Sequence, residues 1–382
     1  MLVRDLAALM EAIAPLSYAE PWDKVGLLAG DGSRSLRGPV VLTIDLSEAV
    51  LDEARSVGAG AIVAYHPPIF EPLSRVTDAT PRQRVVLRAL ESSIAIYSPH
   101  TALDAIPGGV TDWLCEGISG SHTPGKIAGD CRALVPHKHQ EAGQQVRIVT
   151  YVPAEDLDRV RKALATAGAG RIGNYQLCSF SAEGTGTFFG GEGTKPAVGE
   201  PGRIESVREH RLEMSCSRGG LALALDTLRK FHPYEEPAID VYDLVAQPRR
   251  GAGSGRRLVL DKPATVRQLA ERIKGWVKRD RVRYAVAHEQ REKEVSHVGA
   301  VPGSGESLSK TARAEGCEVF VTGEMKHHEV LGALNAGMSV ILGGHTNTER
   351  GYLPRLKEKM LRREPGLQVL VSAVDVDPLE TV

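Results

Sequence analysis

The chain has 382 residues, 42% of them hydrophobic and 25% charged, which suits a globular protein of about two or three domains. A formal net charge of −1 gives no overall field that would favour nucleic acid or a membrane surface. No apolar run reaches the length of a membrane span, and the first residues lack a signal-peptide pattern. The five scattered cysteines form no Cys-x-x-Cys pair, so we expect a reduced, cytoplasmic protein without a disulfide framework.

The first third of the chain alternates between helix and strand patterns. The apolar period predicts helices over 3–14, 48–57 and 82–92 and strands over 40–45, 61–65 and 94–97. Strands that alternate with helices predict a mainly parallel sheet that is covered on both faces.

A different pattern begins near residue 120. It predicts a glycine-rich hairpin over 184–202, helices over 155–167 and 220–231, and strands over 146–152, 205–215 and 238–244. This β-α-β-β-α-β order predicts a small ferredoxin-like α+β domain. Glycine, proline and arginine in residues 247–255 predict a flexible linker after it.

The helix and strand alternation resumes after residue 257. It predicts helices over 265–276, 308–315 and 327–335, strands over 294–301, 319–322 and 338–342, and a further helix after Thr346. The simplest organisation is one α/β core over 1–125 and 251–382, interrupted by an inserted domain over 126–250.

The most informative stretch is Gly343–Glu349, directly after a predicted buried strand. His345 and Glu349 are four residues apart, so in a helix they would share one face. An imidazole and a carboxylate are ligands that suit zinc, manganese and iron. The same residues also fit a capping box, with Thr346 as the N-cap and Glu349 at the third helical position.

Three other predicted strand ends carry metal-ligand residue types. His66 follows the second strand, His100 and Asp104 follow the third, and a polar segment over 322–329 follows the strand before residue 323. The carboxyl ends of strands in one doubly wound sheet meet at one rim, so we expect these side chains to cluster with His345. Together the four strand ends predict a metal site.

Five segments, in this order, resemble the Nif-three-like family, whose members are often labelled GTP cyclohydrolase 1 type 2 homologues: 22–28, 64–70, 98–104, 322–328 and 344–349. The resemblance covers the whole chain. It implies a core of two similar α/β halves, a dinuclear metal site and, as in several members, a ring-like homohexamer. The insert is similar to the divalent-cation-tolerance and nitrogen-regulatory trimeric proteins, on residues 172–175 and 232–237.

Carried over residue by residue, the resemblance makes His66, Asp104, His345 and Glu349 metal ligands. Many members have two adjacent histidines where this chain has Tyr65 and His66. Either Tyr65 or a water fills that coordination position, or the site holds one tight and one weak ion. His100 would be a further ligand or would orient Asp104.

Zinc, manganese or iron, one or two ions per subunit, would activate water for hydrolysis. Glu324, Lys326, His327 and His328 are candidate proton donors, and Lys326 is also a candidate anion-binding residue. A polar helix start is the alternative interpretation of that segment. The first hypothesis is therefore a metal-dependent hydrolase that acts on a nucleotide-like or phosphorylated small molecule. The second is a metal-dependent regulatory or scaffold protein that acts through protein interaction, with the insert as its sensor.

Overall fold

The computed structural model describes residues 1–380, which form two compact units. Among these residues, the larger unit contains 1–137 and 249–380, and the smaller contains 138–248. The helices are α1 Val3–Ile13, α2 Glu48–Ser56, α3 Pro81–Glu91, α4 His100–Ala105, α5 Val110–Ser119, α6 Leu157–Thr166, α7 Leu221–Phe231, α8 Val266–Trp276, α9 Ser309–Ala314, α10 His327–Asn335, α11 Asn347–Arg350 and α12 Leu353–Arg363. Within residues 1–380, no helix combines the length and apolar character needed to cross a membrane.

The strands complete the element order. They are β1 Gly26–Ala29, β2 Val40–Thr43, β3 Ala61–Ala64, β4 Ala95–Ser98, β5 Gly129–His139, β6 Val146–Pro153, β7 Phe180–Phe189, β8 Ile204–Cys216, β9 Ile239–Asp243, β10 Gln247–Thr265, β11 Arg283–Ala285, β12 Glu294–Ser304, β13 Val319–Glu324, β14 Ser339–Leu342 and β15 Val369–Val371.

The first sheet of the larger unit has the strand order β1-β4-β3-β2-β15. Strands β2, β3 and β4 are parallel neighbours joined by α2 and α3, and β1 pairs antiparallel with β4 at one edge. Every residue of these three central strands is buried. Helices on both faces of parallel strands exclude water from both faces, which is why these strands appear in the sequence as short continuous apolar runs.

The second sheet repeats this plan, with the order β11-β14-β13-β12-β10-β5. Strands β12, β13 and β14 are parallel and are joined by α9 and α10, while β11 pairs antiparallel with β14. The predicted mixed α/β fold with parallel strands is confirmed. The sequence patterns missed β15, which comes from the end of the chain and pairs in parallel with β2 in the first sheet.

One apolar core joins the two sheets of the larger unit. It contains side chains from the first sheet, such as Val63, and from the second, such as Val321, together with residues of α1, α5, α8 and α12. Val63 and Val321 are at most 1% exposed. Burial of each such side chain contributes roughly 1.5–3 kcal/mol to folding. The shared core therefore holds the carboxyl ends of strands from both sheets in a fixed relation.

The smaller unit has an antiparallel sheet with the order β7-β8-β6-β9, formed by the chain order β6-α6-β7-β8-α7-β9. Its apolar core packs α6 and α7 against the sheet through residues such as Ile148, Leu164, Leu212 and Leu228. The glycine-rich stretch over 184–202 forms the end of β7 and its connection to β8, with Phe189 opposite Ile204. The predicted hairpin is confirmed.

The prediction of a flexible linker over residues 247–255 is wrong, because this segment is the first part of β10, which neighbours β5. The buried Arg256 side chain donates hydrogen bonds to the carbonyl oxygens of Gly251, Gly253 and Gly255 at 3.2, 2.7 and 2.9 Å. A Cβ atom on Gly253 would lie 2.1 Å from the Val135 carbonyl oxygen. The glycines therefore permit close strand packing here rather than flexibility.

Candidate metal centre

Two histidines and one glutamate converge at strand ends of the larger unit. His66 lies two residues after β3, His345 lies three residues after β14, and Glu349 lies in α11. The expectation that one sheet would supply all these ends is wrong, because β3 belongs to the first sheet and β14 to the second. The shared core, rather than a common rim, brings the three side chains together.

The ligand atoms of this cluster all lie within 4.8 Å of one another. Nε2 of His66 is 3.5 Å from one oxygen of Glu349, and Nε2 of His345 is 3.6 Å from the other. These separations are long for hydrogen bonds but close to the roughly 3.4 Å between two atoms bound to one tetrahedral zinc ion. The side chains of His66 and His345 are 23% and 34% exposed and that of Glu349 only 3%, so the imidazoles line the open side.

Each imidazole is held by a carboxylate at its other nitrogen. His66 Nδ1 lies 2.9 Å from Asp45 Oδ1, and His345 Nδ1 lies 2.9 Å from Glu324 Oε1. A carboxylate at Nδ1 fixes the ring orientation and makes Nε2 a better metal ligand. Asp45 was not predicted from the sequence, although its position two residues after β2 was an available signal. Glu324 was predicted to be a proton donor, whereas its carboxylate lies against His345 in the structure.

In the metal-free state, a proton on His66 and the negative charges of the carboxylates around it stabilise one another. Burial lowers the pKa of His66, but its interactions with Asp45 and Glu349 outweigh that effect and raise the pKa to about 10. Burial opposes ionisation of Asp45 as well, yet the hydrogen bond with His66 lowers the pKa of that carboxyl below its usual value. A proton on His66 therefore compensates the surrounding carboxylates until another cation replaces it.

The capping-box interpretation is wrong. Thr346 does occupy the N-cap position of α11, but its hydroxyl is buried and accepts no hydrogen bond from the helix. The carboxylate of Glu349 instead faces the two imidazoles, and its Oε2 atom is buried without a hydrogen-bond partner among residues 1–380. A buried carboxylate oxygen without a partner is costly unless a cation binds it. The donor set, two imidazoles and one carboxylate, thus fits a divalent ion.

Gly303, at the end of β12, makes room for this arrangement. Its φ of +61° is in the left-handed region that favours glycine, and its N–H donates to the Thr348 hydroxyl at 2.9 Å. A Cβ atom at this position would lie 2.4 Å from Oε1 of Glu349 and 3.1 Å from Nε2 of His345. Gly303 is therefore a residue of the site that was not predicted from the sequence.

Asp104 and Tyr65 lie beside the three converging side chains. The Tyr65 hydroxyl donates a hydrogen bond to Asp104 Oδ1 at 2.6 Å. Burial raises the pKa of Asp104 to about 7, although the Tyr65 hydrogen bond opposes the change. Burial and the nearby Asp104 charge raise the pKa of Tyr65 well above its usual value, so the phenol keeps its proton. Asp104 is not in the group of mutually close ligand atoms, and the ligand roles of both residues stay predictions.

His100 begins α4 with φ +30°, and its Nδ1 atom lies 2.7 Å from Asp23 Oδ1. Its ring centre is 5.5 Å from that of His66 and 5.6 Å from that of Tyr65. The carboxylate that orients this imidazole is therefore Asp23, from the segment before β1.

The remaining predicted residues lie at the start of α10. Lys326 Nζ donates to Glu306 Oε1 at 2.8 Å, and its side chain is 68% exposed. His327 is also exposed. The structure engages Lys326 with a surface carboxylate and does not include it or His327 in the His66, His345 and Glu349 cluster.

Fold and cluster together define a mixed α/β protein with a candidate metal centre of two imidazoles and one carboxylate. A sequence model described as Duf34/NIF3 (NGG1p interacting factor 3) matches residues 1–378, and the chain belongs to this family. The resemblance inferred from the five ordered motifs is confirmed.

Similar proteins match over nearly their full length. The GTP cyclohydrolase 1 type 2 homolog of Bacillus subtilis (strain 168) is 32% identical over 378 residues, which cover 98% of this chain and 97% of that protein. The NIF3-like protein 1 of Homo sapiens is 33% identical over 385 residues, covering 99% and 93%. The solved structure of a Bacillus cereus protein related to NIF3 is 31% identical, with a TM-score of 0.66, and covers 100% of this chain and 99% of that one.

Proposed function

We propose that this protein is a metal-dependent hydrolase of nucleotide-like or phosphorylated small molecules, with its centre at His66, His345 and Glu349. The observation that carries the proposal is the convergence of two imidazoles on Glu349, whose buried Oε2 atom has no hydrogen bond among residues 1–380. Three protein ligands with an open side are typical of catalytic rather than structural zinc sites. The partial exposure of both imidazoles supports access by a substrate.

Each side chain of the cluster has a separate task in this proposal. Nε2 of His66 and of His345 and the carboxylate of Glu349 would hold a divalent ion, while Asp45 and Glu324 orient the imidazoles. The bound ion would act as a Lewis acid and bring the pKa of water into the neutral range.

Asp104 is the candidate acid or base beside the cluster. Burial raises the pKa of Asp104 to about 7 in the metal-free protein, close to the pH at which a general acid or base works best. Tyr65 holds it by a hydrogen bond and stays protonated. We expect one tightly bound ion, since the Tyr65 hydroxyl already engages one oxygen, Oδ1, of Asp104. Lys326 and His327 remain alternative proton donors.

The proposed substrate class is supported by the names of similar proteins. The curated relative in Bacillus subtilis carries the name GTP cyclohydrolase 1 type 2 homolog, which denotes hydrolytic chemistry on a purine nucleotide. A hydrolase test therefore uses a panel of nucleotides, cyclic amidines and phosphoesters, with zinc, manganese or iron added to metal-free protein.

The decisive variants are His345→Ala and Glu349→Gln. Matched controls are His122→Ala, whose side chain is exposed in the loop after α5, and Glu358→Gln, whose side chain is 66% exposed on α12. We expect turnover and tight metal binding in the wild type and both controls, and loss of both in the decisive variants. Metal-loaded wild type that turns over no compound in the panel would contradict the hydrolase proposal.

A regulatory function is the second candidate, and a cavity of about 640 Å³ within the smaller unit favours it. Its lining includes Tyr151, Phe188, Glu209 and Tyr234, and the Tyr234 hydroxyl donates to Glu209 at 2.6 Å. Aromatic rings with a few polar groups are typical of small-molecule sites. Ligand binding by the smaller unit that changes partner binding without turnover would favour this function.

Three wider expectations accompany this proposal, from the element order of the smaller unit, from the family resemblance and from the scattered cysteines. We expect the smaller unit to be a ferredoxin-like inserted domain, the protein to assemble as a homohexamer, and its location to be the cytoplasm. Light scattering tests the assembly, because a monomeric mass would contradict it.

A further inference from the structure

Two aromatic side chains of the larger unit are exposed side by side. Trp22 is 54% exposed and Phe70 is 40% exposed, and their ring centres are 6.1 Å apart with the planes tilted by 57°. Trp22 lies in the segment before β1, and Phe70 lies in the loop after β3. Two large exposed rings side by side leave a patch of apolar surface in contact with water. Such a patch requires an explanation.

The pair is connected to the candidate metal centre by adjacent rings. The ring centre of Trp22 is 6.1 Å from that of His100, which is 5.5 Å from that of His66. His66 in turn is 5.3 Å from His345. Trp22 therefore lies only two rings from a metal-ligand imidazole, within the length of a nucleotide-sized molecule.

Hydrogen bonds anchor the loop that carries Trp22. Asp23 accepts hydrogen bonds from the backbone N–H of Thr101 at 3.1 Å and from the Thr101 hydroxyl, and it also contacts His100. The backbone N–H of Glu20 donates to the Thr101 hydroxyl at 3.0 Å. The residues on both sides of Trp22 are thus fixed to the start of α4.

The loop that carries Phe70 is anchored separately. Arg82, in α3, donates from Nε to the carbonyl oxygen of Pro68 at 2.8 Å and from Nη2 to that of Glu71. Two independently anchored loops therefore present the two rings. Such preorganisation lowers the entropy that a ligand must offset when it binds.

We propose that Trp22 and Phe70 form an aromatic platform on which the planar heterocycle of the substrate stacks while its reacting group reaches the metal centre. The inference rests on the proposed function and narrows it, because it selects substrates with an aromatic ring over simple sugar phosphates. Aromatic side chains stack on any nucleobase, since every base has a π-face. A protein partner would need about 20–30 residues on each side, which two rings do not supply.

Tryptophan fluorescence tests the platform without turnover. The chain has three tryptophans, of which Trp113 is 5% exposed and Trp276 is half-buried, so Trp22 dominates quenching by external agents. The probes are GMP, AMP, CMP and a pterin, with ribose 5-phosphate as the ring-free comparison, each added to the zinc-loaded full chain. We expect at least one heterocycle to quench the emission and to protect Trp22 from acrylamide.

The variants separate stacking from a structural role. Trp22→Ala is expected to weaken heterocycle binding, measured by calorimetry, by about tenfold or more, while Trp22→Phe retains most of it. Tyr284→Ala removes a ring that is 45% exposed on β11 and serves as the control. Zinc affinity should be unchanged in every one of these variants.

Three outcomes would overturn the platform: no binding of any heterocycle to the wild type, equal binding of ribose 5-phosphate, or equal binding to Trp22→Ala. A lower mass of Trp22→Ala in light scattering would also overturn it, because a second copy of the chain would then cover the rings. Trp22-dependent binding without turnover would contradict the hydrolase proposal alone. Turnover that is unaffected in Trp22→Ala would contradict the platform alone.

Discussion

Replacement of Gly303 by alanine should disable the metal centre while the protein remains folded. The new methyl group would lie 2.4 Å from Oε1 of Glu349, whereas ordinary van der Waals contact begins at 3.4 Å, so the carboxylate must move by about 1 Å. Glu349 is 2% exposed, so it cannot relieve the clash by turning out into solvent without disturbing its neighbours. Metal ligands tolerate displacements of only about 0.2 Å, so one of three ligands is lost.

The Gly303→Ala substitution should lower both the folding stability and the metal affinity, and a control variant separates these two effects. Alanine at a φ of +61° costs roughly 1–2 kcal/mol of folding stability, whatever the surroundings. The displaced carboxylate should weaken metal binding by about 100-fold, or about 2.7 kcal/mol. Gly58 has a φ of +64°, and a methyl group at this residue would have no atom within 4 Å, so Gly58→Ala has the backbone cost without the steric one.

Calorimetric titration of metal-free protein with zinc, together with thermal unfolding, measures both parts. We expect the two variants to lose similar stability and only Gly303→Ala to lose zinc affinity. Equal zinc affinities for Gly303→Ala and Gly58→Ala would refute the assignment of Glu349 as a ligand.

Three further predictions concern protons and charge. Because the pKa of His66 is about 10 without metal, zinc must displace a proton, so zinc affinity should rise by about tenfold per pH unit between about pH 6 and 8. Titration in buffers of different ionisation enthalpy would show about one proton released per ion, and a pH-independent affinity would contradict this. Tyr65→Phe removes the hydrogen bond that lowers the pKa of Asp104, so that pKa should rise above about 7. Carbon-detected NMR titration of the carboxyl group measures it, and an unchanged value would count against the contact. Arg256→Met leaves the partly buried Asp112 without its cation and should cost about 3–5 kcal/mol of unfolding free energy in urea, with partial recovery in a second variant that adds Asp112→Asn.

Local sequence patterns predicted the helices and strands whose buried side is visible in their own apolar spacing. Helix α1 was predicted over residues 3–14 and spans Val3–Ile13, because its apolar side is regular. Strand β15 was missed, since Val369–Val371 is only three residues long and pairs with β2 from the other end of the sequence. Residues 247–255 were misinterpreted because their order depends on the buried side chain of Arg256 and on neighbouring strands.

Some residues of the site could likewise be predicted from the local sequence, whereas others depend on contacts between distant parts of the chain. His66, His345 and Glu349 could be predicted because ligand types follow strands at their carboxyl ends. The contact of Asp45 with His66 and the close approach of Gly303 to Glu349 arise only after both sheets pack on one core. The local motif around Thr346 could not tell whether Glu349 faces the helix backbone or the imidazoles.

The division of the cluster between two sheets has a consequence for biosynthesis. His66 and His345 come from different sheets, and their positions place most of the chain between them. A ribosome that adds about 5–20 residues per second needs on the order of 10–60 s to pass from the first histidine to the second. During that interval the emerging polypeptide has the imidazole and carboxylate of only one half of the cluster. If the cluster binds an ion as proposed, its three ligands are available together only when the chain is almost complete, so metal would bind at the end of synthesis or after it.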